Sequence, residues 1–361
     1  MIYNINVQNV GLNLMSDFIP SYRWNLTDLN KVKKNGLKVF SCFACGGGST
    51  MGYKLAGFEV IGANEIDPEM AWHYKTNHNP KYYFLEDIRQ FKKRNDLPKE
   101  LFELDILDGS PPCSSFSMAG SREKGWNKKK KFREGQSEQV LDDLFFEYID
   151  LVNKLRPKVV VAENVKGMLQ GNAKGYVKQI INLFKTIGYD VQLFLLNAAT
   201  MGVPQKRERV FFIARRKDLK LPELKLYFNE PAINVKDALF NVGNKGRDVS
   251  SSSMFKFWHQ CKPGESFSKY HPKGSLFGQI KLNKIGPAPT LTSIEYQIWH
   301  YESCRLLSND EVCLLGSYPL DYLFNHSKKD FAKYLIGMSV PPLMIYKIAD
   351  QIKKQLFKST T

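Results

Sequence analysis

The chain has 361 residues, with 43% hydrophobic residues and a formal net charge of +16. This length and apolar content suffice for one large domain with a smaller second one, and they exclude general disorder. No run approaches the roughly 20 apolar residues that span a bilayer, and the N-terminus lacks a secretory pattern, so we expect a cytoplasmic protein without a membrane partner. The basic excess favours a polyanionic partner through phosphate contacts.

Short apolar runs alternate with amphipathic segments from Leu37 onward, after an N-terminal arm at residues 1–36. Buried strands are predicted at Leu37–Phe43, Glu59–Ala63, Leu104–Leu107, Lys158–Ala162, Val191–Leu196 and Val210–Ala214. Helices are predicted between them at Ser49–Ala56, Pro68–Asn77, Gln139–Leu155 and Tyr176–Ile187. The alternation is typical of an α/β fold with a doubly wound, mostly parallel, Rossmann-like sheet, here over residues 37–216.

A second, smaller domain is predicted at residues 217–300, where glycine, proline, serine and aromatic residues follow no helical or strand period. Helical patterns return at Ser308–Gly316 and Pro342–Phe357. These helices belong to a C-terminal segment, residues 301–361, which we expect to return to the large domain.

A glycine-rich turn follows the first predicted strand in the sequence F-A-C-G-G-G-S-T-M-G, residues 43–52. Clustered glycines there let a ligand approach the backbone at a helix N-terminus. Acidic residues follow the next two strands: Glu65 is placed to bind ribose hydroxyls, and Asp87 to accept a hydrogen bond from an adenine amino group. The pattern indicates an adenosine-containing ligand and leaves NAD, FAD or a structural turn open, although the spacing departs from the G-x-G-x-x-G of dinucleotide sites.

The fourth strand ends in D-G-S-P-P-C-S-S, where two prolines fix the backbone before Cys113. Active sites of doubly wound folds lie at such strand ends, and a cysteine is a strong nucleophile when cations stabilise its thiolate. The alternative is a small buried hydrophobic residue. The polar, proline-braced setting favours the nucleophile.

Charged side chains at the next strands complete the candidate site. Glu163 ends the fifth strand in A-E-N-V, and adjacent parallel strands would bring it close to Cys113. It is a candidate proton donor, or else a cap for the helix that follows. Arg207 and Arg209 alternate at a strand entrance in Q-K-R-E-R, where they could bind a base oxygen, a phosphate or Glu163, or form a solvated edge.

The six cysteines are spread along the chain, which is the pattern of neither a disulfide framework nor a zinc site, and we predict no metal. Cys42 and Cys45 form a single C-x-x-C pair between a predicted strand and a helix. A thioredoxin-like redox pair is therefore one hypothesis, although the glycines that follow indicate a different purpose.

Taken in order, these segments resemble the motifs of the cytosine-C5 DNA methyltransferase family, of the prokaryotic modification-enzyme type. The motifs are F-A-C-G-G-G, N-E-I-D-P, E-D-I, G-S-P-P-C, A-E-N-V and Q-K-R-E-R, then R-L-L-S, G-S-Y-P and G-M-S-V-P-P. The resemblance covers roughly residues 37–216 and 287–355. It implies the class I methyltransferase fold, S-adenosyl-L-methionine as the cofactor, double-stranded DNA as the partner, and residues 217–300 as a target-recognition domain.

The resemblance also implies a mechanism in which the target cytosine is flipped out of the duplex. The Cys113 thiolate attacks C6, Glu163 protonates N3, and C5 then takes the methyl group. Arg209 matches the arginine that holds the base, and Arg207 is a further catalytic candidate. Cofactor contacts are expected from Phe43, Gly46, Gly47, Gly48, Glu65, Ile66, Asp87, Ile88, Pro112, Leu144 and Ser339.

Five positions, in four motifs, depart from the family pattern. Cys45 replaces a usual glycine, Ser114 a glutamine, Thr200-Met201 an acid-aromatic pair and Met338 an asparagine. The first departure puts the shape of the glycine-rich turn in question, and the last leaves Ser339 as the safer assignment in its motif.

Two further regions are predicted to contact DNA. The loop Ser114–Asp143, which contains Lys128–Lys131, is expected to close over the duplex and clamp phosphates. The target-recognition domain mixes basic and aromatic residues that suit groove and phosphate contacts. They are Lys256, Trp258, His259, Lys262, Lys269, Tyr270, His271, Lys273, Lys281 and Lys284.

Alternatives with the same fold are an RNA (tRNA) cytosine-C5 methyltransferase and a catalytically inactive DNA-binding homologue. The separate basic region favours DNA, and the intact Cys113, Glu163 and Arg209 favour activity. We expect a monomer, bacterial or phage-encoded. A cognate restriction endonuclease is a conceivable companion that no residue requires.

Overall fold

A computed structural model describes residues 19–112, 143–171, 173–243, 246–293, 297–325 and 331–357. Cys113 and most of the Ser114–Asp143 loop lie outside the described residues, as does the start of the helix predicted at Gln139–Leu155. The prediction that this loop closes on DNA therefore stays a prediction.

The described residues form a central sheet of seven strands. They are β1 (Lys38–Cys42), β2 (Glu59–Glu65), β3 (Tyr82–Leu85), β4 (Ile106–Gly109), β5 (Val159–Val165), β6 (Tyr189–Asn197) and β7 (Glu208–Arg216). Their order is β3-β2-β1-β4-β5-β7-β6. The first five strands pair in parallel, and β7 runs antiparallel to both of its neighbours. The predicted doubly wound, mostly parallel sheet is confirmed, and this is the class I methyltransferase fold.

Helices connect and follow these strands. They are α1 (Gly48–Leu55), α2 (Pro68–His78), α3 (Ile88–Phe91), α4 (Leu144–Leu155), α5 (Ala173–Thr186), α6 (Val235–Ala238), α7 (Phe255–Gln260), α8 (Asn309–Leu315), α9 (Phe331–Met338) and α10 (Pro342–Leu356). Asp67 begins α2 by accepting the backbone N–H groups of Glu69 and Met70, as an N-cap does. In the described part of the chain, no helix combines the length and apolar character needed to cross a membrane.

Apolar cores cover both faces of the sheet because alternate residues of each strand point to opposite sides. On β1, Val39 joins the core shared with α1 and α10, while Phe40 joins the core shared with α4 and α5. Gly52 allows α1 and α10 to approach closely, since a Cβ atom there would lie 2.5 Å from the Cβ of Ile345. The C-terminal helix therefore packs directly on the helix that follows the glycine-rich turn.

A separate small core lies within residues 246–306, which we call the small-core region. Its buried members are Phe257, Cys261, Phe267, Trp299, Cys304 and Leu306. The chain enters and leaves this region side by side: the Val249 N–H donates to the Cys304 carbonyl (3.1 Å), and the Leu306 N–H to the Arg247 carbonyl (3.0 Å). In contrast, Leu224, Val235 and Leu239 pack into the core of the large domain.

Candidate active site

A pocket opens at the carboxyl ends of β1 to β4, where doubly wound folds bind their ligands. Its empty volume is about 830 Å³, part of it open to solvent. The residues predicted to contact a cofactor that line this pocket are Phe43, Glu65, Ile66, Asp87, Ile88, Pro112 and Leu144. The structure thus brings together side chains that are separated by up to about a hundred positions in the sequence.

Glu65 holds the glycine-rich turn against the end of β2. Its Oε2 atom accepts the Cys45 backbone N–H at 2.7 Å, and its Oε1 atom accepts those of Ile66 and Asp67 at 2.8 and 2.9 Å. Burial raises the pKa of this carboxyl group, while the three N–H donors act in the opposite direction. One lone pair on Oε2 is left over for a hydroxyl donor in the pocket.

The predicted cofactor residues Gly46, Gly47 and Gly48 form the turn beside the pocket and are not among its lining residues. Gly47 has a φ of 86°, and a Cβ on Gly48 would lie 2.3 Å from the Val340 carbonyl oxygen. These glycines allow the turn to pack against the segment that begins α10. Cys45, where the family pattern has glycine, accepts a left-handed φ of 48°.

Ser339 also lies outside the pocket lining, and its hydroxyl group donates to the Leu335 carbonyl at 2.8 Å. Tyr334 and Met338 line the pocket in its place. They are four positions apart on α9 and so share one face of that helix. Sequence reasoning missed Tyr334, and the i, i+4 spacing to Met338 is a signal that could have found it had the helix been predicted.

Glu163 and Arg209 form a largely enclosed ion pair at the next strand ends. Arg209 Nε donates to Glu163 Oε1 at 2.8 Å, and the two side chains are 15% and 12% exposed. β5 lies next to β4 as expected, and the Asn164 side-chain amide donates to the Pro111 carbonyl at 3.0 Å. This bond fixes the backbone two residues before Cys113, close to the Glu163–Arg209 pair.

Arg207 is placed differently from Arg209. It is 3% exposed, and its Nη1 donates to the carbonyls of Leu291 (2.9 Å) and Gly337 (3.2 Å), with Nη2 also donating to Gly337 (3.2 Å). Burial lowers its pKa to about 9, so it stays a cation at neutral pH. Backbone carbonyls take three of its four terminal N–H groups, so Arg207 links chain segments in this structure, and its predicted catalytic role stays a prediction.

Lys281 differs from the expectation that it contacts a nucleic acid. Its ammonium group lies 3.9 Å from the centre of the Trp258 ring and donates to the Trp258 carbonyl at 3.1 Å. The side chain is buried, so this lysine and tryptophan hold the small-core region together. The other predicted lysines of this region, Lys256, Lys262, Lys269, Lys273 and Lys284, are exposed.

Asp108, at the end of β4, is a buried acid that sequence reasoning did not select. Ser41 and Tyr53 donate their hydroxyl groups to it at 2.7 and 3.1 Å. Burial is the main cause that raises its pKa to about 7, and the nearby Glu163 charge acts in the same direction. The group therefore titrates near neutral pH inside the strand that leads to Cys113.

We expect Asp108→Asn to flatten the pH dependence of stability. Because the pKa of Asp108 is raised from 3.8 in the folded state, protonation of this group stabilises the fold. This stabilisation is fully present below pH 3.8 and is lost as the pH rises through about 7. Between pH 5 and 8 the variant should therefore gain about 2–3 kcal/mol relative to wild type. Urea unfolding at both pH values measures this gain, with Asp190→Asn as a surface control. An unchanged difference between wild type and Asp108→Asn at the two pH values would contradict the assignment.

Comparison with protein families supplies the deciding observation. The family model described as C-5 cytosine-specific DNA methylase matches residues 37–354. The chain belongs to this family. It is a DNA (cytosine-5-)-methyltransferase, and the family model spans the pocket and the Glu163–Arg209 pair described above.

Known methyltransferases are similar along most of their length. The Type II methyltransferase M.NgoPII of Neisseria gonorrhoeae is 30% identical over 89% of this chain and 97% of its own. M.FnuDI of Fusobacterium nucleatum is 30% identical over 89% of this chain and 95% of its own. A solved DNA modification methyltransferase from an E. coli prophage shares the fold, with a TM-score of 0.67 at 22% identity over 90% of this chain and all of its own.

The geometry of this methyltransferase argues against a redox role for Cys42 and Cys45. Burial raises the pKa of the Cys45 thiol to about 12, and burial also raises that of Cys42. Redox-active thiols instead need a lowered pKa and access to partners. Cys45 Sγ lies 3.5 Å from both Met70 Sδ and Ser339 Oγ, as a packed side chain of the pocket wall.

Proposed function

We propose that this methyltransferase transfers a methyl group from S-adenosyl-L-methionine to C5 of a cytosine flipped out of duplex DNA, through a covalent adduct with Cys113. The observation that carries the proposal is the enclosed Glu163–Arg209 pair at 2.8 Å. It lies at the strand end next to the Pro111 carbonyl, which Asn164 ties down, and beside a pocket of suitable size. An acid and an arginine thereby lie at the strand ends beside the segment that leads to the proposed nucleophile.

The pocket residues fit this cofactor. Phe43, Ile66 and Leu144 offer apolar surface for a flat adenine ring. Asp87 Oδ2 accepts only one guanidinium hydrogen bond, from Arg89 at 3.1 Å among the contacts described, and so keeps capacity for an amino group. Glu65 has the capacity for a ribose hydroxyl. When bound, the cofactor supplies an electrophilic methyl group on a positively charged sulfur. Nearby carboxylates would stabilise that positive charge.

The chain's own residues would act on the base as follows. The Cys113 thiolate forms a bond to C6 while Glu163 gives its proton to N3, so that the electrons reach C5, which then takes the methyl group. A base removes the C5 proton, the bond between sulfur and C6 breaks so that the thiolate leaves, and N3 returns its proton to Glu163. Arg209 keeps Glu163 oriented and offers guanidinium N–H groups to the base carbonyl.

The exposed lysines of the small-core region support its role as the DNA reader. Lys256, Lys262 and Lys273 are exposed cations that suit phosphate groups, whereas Lys269 pairs with Glu265 at 2.7 Å. Target recognition therefore belongs to this region, which overlaps most of the domain predicted over residues 217–300 and extends six residues beyond it. The names and full-length coverage of the Type II relatives favour the modification half of a restriction–modification system. We propose that the chain acts on DNA as a monomer in the cytoplasm.

Bisulfite sequencing of DNA from cells that express the chain tests the proposal. We expect protected cytosines in one sequence context, absent from cells that carry the empty vector. A parallel assay with tritiated cofactor should label duplex DNA rather than tRNA. Labelling of tRNA alone would favour the RNA methyltransferase, and no transfer to either would favour the inactive DNA-binding homologue.

A further inference from the structure

Arg207 joins two parts of the molecule that serve different ligands. Its guanidinium group donates to the Leu291 carbonyl, near the end of the small-core region, and to the Gly337 carbonyl on α9. The next residue on α9, Met338, lines the cofactor pocket, as does Tyr334 one turn earlier. One buried side chain thus links a wall of the pocket to Leu291, which lies within residues 246–306 but packs into the core of the large domain.

The two segments that Arg207 joins are packed against each other in direct contact. A Cβ atom on Gly337 would lie 2.2 Å from the backbone carbonyl of Thr292, so the two segments touch through their main chains. The same reader segment is held from the other side, where the Leu291 N–H donates to Gln205 Oε1 at 3.0 Å and Thr290 Oγ to the Lys206 carbonyl at 2.8 Å. A shift of residues 290–292 would therefore be passed to α9.

The hydrogen bonds of Arg207 would contribute little net stability to the fold. The cation is 3% exposed, its terminal N–H groups bind carbonyls rather than a carboxylate, and its Nε has no partner among the described residues. Burying a charge in this way opposes folding, and similar buried groups are known to specify one arrangement of segments. Two positions further on, Arg209 binds Glu163. The side chains of these two neighbouring arginines therefore have different partners.

We propose that Arg207 is a positioning residue that couples DNA binding at the small-core region to the shape of the cofactor pocket. The proposal rests on the proposed function. DNA bound at the small-core region fixes the position of residues 290–292. Through Arg207 and Gly337, this position in turn determines where Tyr334 and Met338 lie in the pocket. Cofactor and DNA then bind more tightly together than alone, and the coupling factor is the same in both directions.

The test measures the dissociation constant of S-adenosyl-L-homocysteine with and without a duplex that carries the sequence found by bisulfite sequencing. In wild type we expect the duplex to tighten binding by a factor between about 5 and 150. In Arg207→Met the factor should fall to about 1, and in Arg207→Lys, which reaches fewer acceptors, it should be intermediate. The reciprocal measurement of duplex affinity should give the same factor.

Arg215→Met is the matched control. Arg215 lies on β7, the strand that begins directly after Arg207. It is 7% exposed and also donates to a backbone carbonyl, that of Leu221 at 2.8 Å. Loss of a buried arginine there should lower stability and leave the coupling factor at its wild-type value. If Arg207→Met does not fold, the factor of Arg207→Lys decides.

A wild-type coupling factor in the Arg207 variants, or a factor of 1 in wild type, would overturn the coupling while methylation of DNA stands. A wild-type protein that methylates no DNA would instead remove the proposed function. The two failures are therefore distinguishable.

Discussion

Replacement of Cys113 by serine is expected to reduce kcat by a factor on the order of 10⁶, the scale found when a protease loses its nucleophile. A serine hydroxyl is not ionised at neutral pH, whereas a cysteine beside a cation such as Arg209 can form a thiolate. Pro112 lines the pocket, and the Asn164 bond holds Pro111, so residue 113 follows directly from a fixed backbone. Initial rates of tritiated methyl transfer to duplex DNA measure the loss.

Binding measurements separate the chemistry of Cys113 from its folding. The Cys113→Ser protein should bind S-adenosyl-L-homocysteine within about twofold of wild type, a difference below about 0.5 kcal/mol. Wild type should also form a stable covalent complex with DNA that contains 5-fluorocytosine, because fluorine at C5 cannot leave as a proton, and the variant should form none. Cys261→Ser, in the small core, serves as the control that keeps full transfer. Undiminished transfer by Cys113→Ser would remove the proposed nucleophile.

Replacement of Glu163 by glutamine is expected to lower kcat by a factor of about 10² to 10⁴, the usual contribution of a positioned proton donor. The amide keeps an oxygen that can accept from Arg209, but it has no acidic proton to give to N3. Glu163 is not among the residues that line the cofactor pocket, so cofactor binding should persist. Single-turnover methyl transfer on duplex DNA measures the chemical step itself.

A neighbouring carboxyl group provides the control for Glu163. Glu208 lies at the start of β7 and pairs with Lys166 at 3.0 Å, with its side chain 34% exposed. Glu208→Gln should change kcat less than about threefold, because exposed ion pairs contribute about 0–1 kcal/mol. Equal losses in the two variants would show that general disturbance of the strand entrance, and not proton donation, explains the effect.

Sequence patterns predicted most of the sheet because its strands are buried on both faces. Continuous apolar runs such as that of β5 stand out without any helical period. The helix α9 was missed for a related reason: nearly all of its residues are buried, so it has no polar face to mark a period. Because this helix was not predicted, Tyr334 was not included in the predicted site.

The site itself was predicted unevenly, and the two arginines show why. Alternation in a strand placed Arg207 and Arg209 on one face, yet β7 begins only at Glu208. Arg207 therefore precedes the regular strand, and its side chain is free to turn toward Leu291 and Gly337. Lys281 shows the same limit, because no local pattern distinguishes a lysine that covers Trp258 from one that meets phosphate.

The paired entry and exit of the small-core region has a consequence for how new DNA specificities arise. Since the chain departs at Arg247 and returns at Leu306, a longer or shorter excursion between them leaves the strand ends of the large domain in register. Residues 284–292 are the exception, because the large domain holds their backbone. Lys284 and Gly286 accept from Lys236 and Val235, Ala288 donates to Pro204, and residues 290–292 are held by Gln205, Lys206 and Arg207. Evolution or a protein engineer can thus exchange the outer loops freely, provided that this one stretch keeps its path.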